Sequence, residues 1–178
     1  WLDRRQSDLT LHLPAEGINP IRTMLHAAYI FDDLMEFTPT WEPLAAGQTV
    51  AVGGARVTPH PTTHLNSLRD AFQTQHPQPF EAFSFVLEGG GLRLGHSADI
   101  GGLTDLDPLT AEPLDLLMCE MAHCEPGALL DYLAEREVKQ VAFTHVHQKH
   151  QPQIDALRAA AEGKMNCRFV TDGEVIEL

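Results

Sequence analysis

The stretch "VAFTHVHQKH", Val141 to His150, decides how the rest of the chain is read. An apolar run breaks into three histidines spaced H-x-H-x-x-H. Such imidazoles can make a whole metal cradle, one ligand with bystanders, or a solvated loop. The answer depends on what flanks them. "KQVAFT" reads as a buried strand, and "PQIDALRAAAEG" as a helix stopped by Gly163. Upstream, "LDLLMCE" is a second short apolar run of the kind that fills a covered sheet. "EPGALLDYLAERE" between them is a helix opened by Pro126. Strand, helix, strand, helix, strand predicts an α/β sheet. The polar residues sit where apolar strands end, which is where such sheets place their sites.

Working towards the N-terminus, "FEAFSFVLEGGGLRLGHSAD" predicts a hairpin turning at Gly89-Gly90-Gly91. "TVAVGGARVTPHP" predicts two short strands about Gly53-Gly54. "LTLHL", Leu9 to Leu13, reads as a strand. "NPIRTMLHAAYIFDDLM" reads as a helix with Asn19 as cap and Pro20 at its first position. Its apolar positions Ile21, Met24, Leu25, Ala28 and Phe31 share one face. At the other end, "CRFVTDGEVIEL" predicts a hairpin on Asp172-Gly173.

The chain of 178 residues is long enough for one domain with a real core. No apolar run approaches the length of a membrane span. A net charge of −13 disfavours a broad nucleic-acid surface, which needs clustered Lys and Arg. Cys119, Cys124 and Cys167 are odd in number and form no C-x-x-C pair, which suits a reducing, cytoplasmic setting. The first residue is Trp1 rather than Met, which suggests residues upstream of it.

Four strand ends carry metal-competent or acid–base side chains. "RVTPHPTTHL" holds His60 and His64, and "LRLGHSADIGG" holds His96 and Asp99. "LLMCEMAHCEP" holds Glu120 and His123, and the opening stretch holds His145, His147, Lys149 and His150. Imidazole and carboxylate suit a borderline divalent metal such as zinc. A carboxylate can bridge two ions, and an unligated His can pass a proton to a leaving group. Against this, His60 and His96 read as ordinary strand-end histidines, Glu120 as a hydrogen-bond acceptor, and the cysteines as core filler.

Taken in order, these strand ends resemble the metallo-β-lactamase superfamily, specifically its RNase Z-like phosphodiesterase branch. "PTTHL" resembles that branch's single-His motif, and "HSADI" its S-G-D-T with Ala98 for Gly. "LLMCEMA" resembles the strand ending in Glu-Ala-Thr, and "HCEP" the H-S-T that opens a helix. "FTHVHQKH" resembles L-T-H-x-S-x-R-Y. His123 and His145 are 22 positions apart, room for one helix and one strand. "LTLHLPAEGI" and "VTDGEVIEL" resemble the segment after the family's first metal motif and its closing hairpin.

The resemblance implies the C-terminal part of an αββα sandwich, with residues 1–178 as a single, N-terminally incomplete domain. It implies that His64 binds one metal, His145 a second, and Asp99 both. His123 would be the proton donor, Glu120 would support the ligands from behind, and Lys149 would stand where the family has a phosphate-contacting Arg. His147 would face substrate, and His150 substrate or solvent. Two divalent ions are expected, zinc first, then manganese or iron. The family's H-x-H-x-D-H cradle is not in this chain, so the isolated polypeptide should bind metal weakly. "HVHQKH" does not replace it, because Lys149 repels a cation and only 28 residues follow His150. His145 alone is therefore the ligand there.

Only 35 positions separate His64 from Asp99, too few for the long arm of the family's tRNA-processing enzymes. The implied reaction is hydrolysis of a small phosphodiester, cyclic ones included, by a metal-bridging hydroxide. A small-molecule substrate, no membrane, no tRNA and a homodimer are the expected partnerships. A non-catalytic scaffold of the same fold, or an ester, lactone or thioester hydrolase, are the alternatives. All depend on His64, Asp99 and His145 meeting at one sheet edge.

Overall fold

Turn residues and apolar runs divide residues 5–178, the part of the chain that this computed structural model describes, into short strands and helices. In chain order these are β1 (Leu9–Pro14), α1 (Ala15–Ala27), β2 (Pro39–Leu44), β3 (Val50–Val52), β4 (Ala55–Pro61), α2 (Asn66–Phe72) and β5 (Phe83–Gly89). Then follow β6 (Leu92–His96), β7 (Leu116–Met121), α3 (Pro126–Ala134), β8 (Val141–Val146), α4 (Ile154–Ala161) and β9 (Cys167–Phe169). The main sheet has seven strands ordered β3 to β9 as in the chain. Pairing is antiparallel from β3 to β6 and parallel from β6 to β9. Strands β1 and β2 form a separate parallel pair. The α/β sheet expected from the second half is borne out.

Two antiparallel steps return a strand to its original direction, so β4 runs the same way as β6. The C-terminal ends of β4, β6, β7 and β8 therefore share one edge. Parallel neighbours need crossovers. Helix α3 links β7 to β8, and α4 follows β8 and leads to β9. Pro126 starts α3, and the Glu125 side chain caps it by accepting the Ala128 N–H. Helix α3 buries Leu129, Leu130 and Leu133, and α4 buries Leu157 and Ala161. These meet Leu117, Cys119, Met121, Val141, Phe143 and Phe169 in one core. Each fully buried aliphatic side chain contributes roughly 1.5–3 kcal/mol.

Three expectations need correction. The first helix begins at Ala15, so Pro20 lies inside it and Asn19 is not its cap. Glu16 anchors that earlier start by accepting the backbone N–H groups of Phe80 and Glu81. The helix also ends at Ala27, where Tyr29 turns to φ +60° and Asp32 folds back onto Arg22 at 2.9 Å. At the far end the turn at Gly173 forms, but residues 174–178 pair with no strand, and β9 is three residues long. Val175 and Leu178 stand exposed there, too few apolar contacts to hold a second arm.

Candidate metal centre

Beyond β4, the loop that carries His64 is tied down by its two threonines. Thr62 Oγ1 donates to the Asp99 carbonyl at 3.0 Å. Thr63 donates twice to Asp105 Oδ2, from its backbone N–H at 2.9 Å and its hydroxyl at 3.0 Å. The Gly101 N–H reaches that same oxygen at 2.8 Å. Asp105 is 6% exposed, so its carboxylate is a buried clamp between the loop after β4 and the loop after β6. Gly101 makes the close approach possible. A Cβ there would lie 2.5 Å from the Thr63 carbonyl carbon, inside any real contact.

Asp99 is reached through a strained turn. Ala98 sits at φ +47°, where an L-residue pays about 1 kcal/mol. Its N–H donates to His96 Nδ1 at 2.9 Å, so His96 serves the turn. Buried Ser97 accepts the Glu120 N–H at 2.9 Å and donates to the Ala98 carbonyl at 2.8 Å. His145 has the same kind of origin. Glu120 pairs with Thr144 but Met121 pairs with Val146, so His145 is the extra residue of a β-bulge. Its φ is +45°. Bulges re-aim a side chain at a strand end, and here that side chain faces Asp99.

Asp99 stands between two imidazoles. Its Oδ1 is 3.1 Å from His145 Nδ1, and its Oδ2 is 3.7 Å from His64 Nε2. The His123 ring lies 4.6 Å from that of His64 and 5.4 Å from that of His145, edge-on to both. The donors group as two overlapping trios, His64–Asp99–His123 and Glu120–His123–His145, each with ligand atoms within 4.8 Å of one another. Glu120 is not free to join a cation. It is 2% exposed and already accepts the N–H groups of Ile100 at 3.0 Å, Ala122, and His123 at 3.0 Å. His123 Nδ1 lies 2.9 Å from Glu120 Oε1. That bond fixes the ring and leaves Nε2 as its one working nitrogen.

The remaining candidates separate cleanly. His60 lies along β4 opposite Ser84 and belongs to neither trio. Burial and nearby Arg93 hold its pKa below the usual histidine range. Burial, with Glu120 and Glu125 close by, pushes the Cys124 thiol up to about 11, so it stays protonated at neutral pH. Cys119 is buried in the core, and burial raises its pKa further still. His147 caps the 3-10 turn Gln148–Gln153, accepting the Lys149 N–H on Nδ1 at 3.1 Å, and is exposed. Lys149 is also exposed and shares a pocket of about 440 Å³ with His123. His150, expected to face substrate or solvent, is only 9% exposed. The turn from Gln148 folds its ring inward.

Sequence reading missed Asp105 and Gly101. An Asp six residues after Asp99 carries no motif, and its partners come from a loop 42 positions earlier. The donor set at the sheet edge suits a borderline divalent cation: imidazole nitrogens on either side of one carboxylate with both oxygens presented. No helix among the described residues is long and apolar enough to cross a membrane.

The family model described as the β-lactamase superfamily domain matches residues 3–166. Among curated proteins, none matches. Among solved structures, the metallo-β-lactamase fold protein YhfI from Bacillus subtilis is 16% identical with a TM-score of 0.67 over 97% of this chain and 65% of its own. Zn(2+)-bound PqqB from Methylobacterium extorquens is 16% identical with a TM-score of 0.67 over 99% of this chain and 65% of its own. A diphosphatase from the PhnP family is 12% identical with a TM-score of 0.60 over 95% of this chain and 58% of its own. The chain thus spans just under two thirds of the length of the first of these structures.

Proposed function

The chain belongs to the β-lactamase superfamily, and from that membership we propose that it serves a metal-dependent hydrolase of a small phosphodiester, cyclic diesters included. One observation carries the reading. A single carboxylate, Asp99, presents one oxygen to His64 and the other to His145, which come from two different strand ends. A carboxylate shared in this way suits two cation positions better than one. His64 would hold the first cation, His145 the second, and Asp99 both, with zinc the expected ion from the donor types. Bound there, divalent cations supply Lewis acidity and ionise water near neutral pH.

The chain's own residues do the rest. Glu120 holds His123 by Nδ1, so Nε2 delivers its proton in one direction. As the water oxygen joins phosphorus and the P–O bond to the leaving group breaks, that proton goes to the leaving oxygen. Solvent then reprotonates His123. Lys149, on the rim of the pocket beside His123, offsets charge on the phosphoryl oxygens. As an ammonium it gives charge without the paired geometry of a guanidinium. The diphosphatase among the similar structures supports chemistry at phosphorus for this fold.

The test compares hydrolysis of bis-p-nitrophenyl phosphate with hydrolysis of a thioester and lactone panel by the whole protein supplied with zinc or manganese. Diester cleavage that D99N abolishes is expected. H123N should lose about 100-fold in kcat on an alkyl diester and much less on a p-nitrophenyl ester, whose leaving group needs no proton. Thioester cleavage without diester cleavage would overturn the proposal.

A further inference from the structure

We propose that a pocket on the far side of His145 holds the arm of the diester that stays on phosphorus, and that Arg158 selects an arm ending in an acidic group. This rests on the phosphodiester reading and names the substrate class which that reading leaves open. His145 borders two spaces. On the β7 side it meets Asp99 Oδ1 at 3.1 Å and stands, ring to ring, 5.4 Å from His123. On the β9 side it borders a pocket of about 560 Å³ between the end of β8, the start of α4 and residues 169–172. His123 delivers its proton to the leaving oxygen, so the leaving group lies on the β7 side. The arm that stays on phosphorus is then directed to the β9 side.

The walls of this pocket are tied in place. Val146, Ile154 and Phe169 line it with apolar surface, and the Phe169 ring packs 5.1 Å from that of Phe143 in the core. One wall is fixed by Gln151, whose Nε2 donates to the Val146 carbonyl at 3.1 Å. The other is the turn at Gly173. There the Thr171 N–H donates to Glu174 Oε2 at 3.2 Å, the Glu174 N–H donates to the Thr171 carbonyl at 3.1 Å, and Arg168 pairs with Glu174 at 3.6 Å. Arg158 supplies the positive charge. Its guanidinium lies over the Phe169 ring, 5.7 Å from the centroid, which orients it. Among the described residues its one ion pair is with Asp155, at 3.5 Å, and that carboxylate is almost fully exposed. Such a pair is weak in water and yields readily to a better partner. A guanidinium carries five donors in a fork that matches a carboxylate or phosphate, so a ligand anion is that partner. Asp172 brings one negative charge to the wall, but from an exposed position where solvent screens it.

Two measurements on the whole protein, both with zinc supplied, test this. The first compares KM for p-nitrophenyl p-carboxybenzyl phosphate with KM for p-nitrophenyl benzyl phosphate. These share a leaving group and differ by one carboxylate on the other arm. The second compares, by calorimetry, the binding of p-carboxybenzylphosphonate and benzylphosphonate, neither of which has an ester bond to cleave. In the wild type the carboxylate should lower both KM and Kd about tenfold. R158Q should erase both differences. The Arg158 side chain is more than half exposed, so R158Q should fold with a thermal midpoint close to that of the wild type. A wild type indifferent to the carboxylate, or an R158Q that still prefers it, overturns the pocket. Preferential phosphonate binding without diester cleavage sinks the diester reading and keeps the pocket; diester cleavage indifferent to the carboxylate does the reverse.

Discussion

Two residues at the sheet edge hold backbone conformations that their side chains disfavour: Ala98 at φ +47° and His145 at φ +45°. Such strain persists where the surroundings over-determine it, typically at sites. For His145 relief would delete a candidate ligand; for Ala98 it would not. A98G should therefore stabilise the protein by about 1 kcal/mol, a rise in melting temperature of roughly 2–4 °C for this chain length. Calorimetry showing A98G equal to or below wild type would contradict the strain. Glu120 is the opposite case. Its carboxylate accepts from three backbone N–H groups and stands against the His123 ring. A glutamine turns one acceptor oxygen into a donor facing other donors. E120Q should cost about 3 kcal/mol in urea denaturation. It should also slow cleavage of an alkyl diester far more than that of a p-nitrophenyl ester, as H123N does, because the ring loses its anchor. His64, Asp99, Glu120, His123 and His145 were legible as residue types at strand ends. Asp105 was not, because its role depends on Thr63 and Gly101 arriving from elsewhere.

At the scale of elements, legibility followed the source of each element's stability. Strands β5 to β8 and helix α3 were readable because apolar runs and turn residues encode them locally. Helix α1 was misread at both ends because tertiary anchors set its bounds: Glu16 at the start and the Arg22–Asp32 pair after its end. Strand β2 escaped because "PTWEPL" carries two prolines, and only its parallel pairing with β1 makes it a strand. The bulge in β8 could not be foreseen from composition, since it exists only relative to β7. The most sensitive contact between elements is that of the loops after β4 and β6. G101A should push a methyl group into the Thr63 backbone and lower stability by about 1–3 kcal/mol. The same displacement should move His64 from Asp99. Cobalt titration followed by absorbance should then show a weakened site in G101A, and an unchanged titration would mean that the clamp does not position His64.

For the molecule as a whole, the titrating groups set how stability depends on pH, and the sign follows from which state holds the proton. Hydrogen bonds from Lys139 and from the Arg93 backbone keep Asp115 below the usual carboxylate range. Tyr132 and Arg136 do the same for Asp107, and the first turn of α3 for Glu125. The unfolded chain takes up these protons first, so the stability they confer is complete above about pH 4 and is lost as pH falls through the depressed values. His60 and His150, both below the usual histidine value, act in a higher window. They remain neutral in the fold where the unfolded chain is protonated, so their contribution is complete above about pH 6.5 and declines below it. The net charge of −13 opposes both steps, because acid relieves self-repulsion. That repulsion is spread over the surface and screened by salt, whereas the bonds at Asp115 and the burial of His150 are local. At moderate ionic strength the local terms should win. Urea midpoints should hold from pH 8 to about 6.5, then fall in two stages, below about pH 6.5 and again below about pH 4. H150F should flatten the upper stage and D115N the lower one. A midpoint that rises steadily on acidification at moderate salt would show that self-repulsion, not these local partners, governs the acid side.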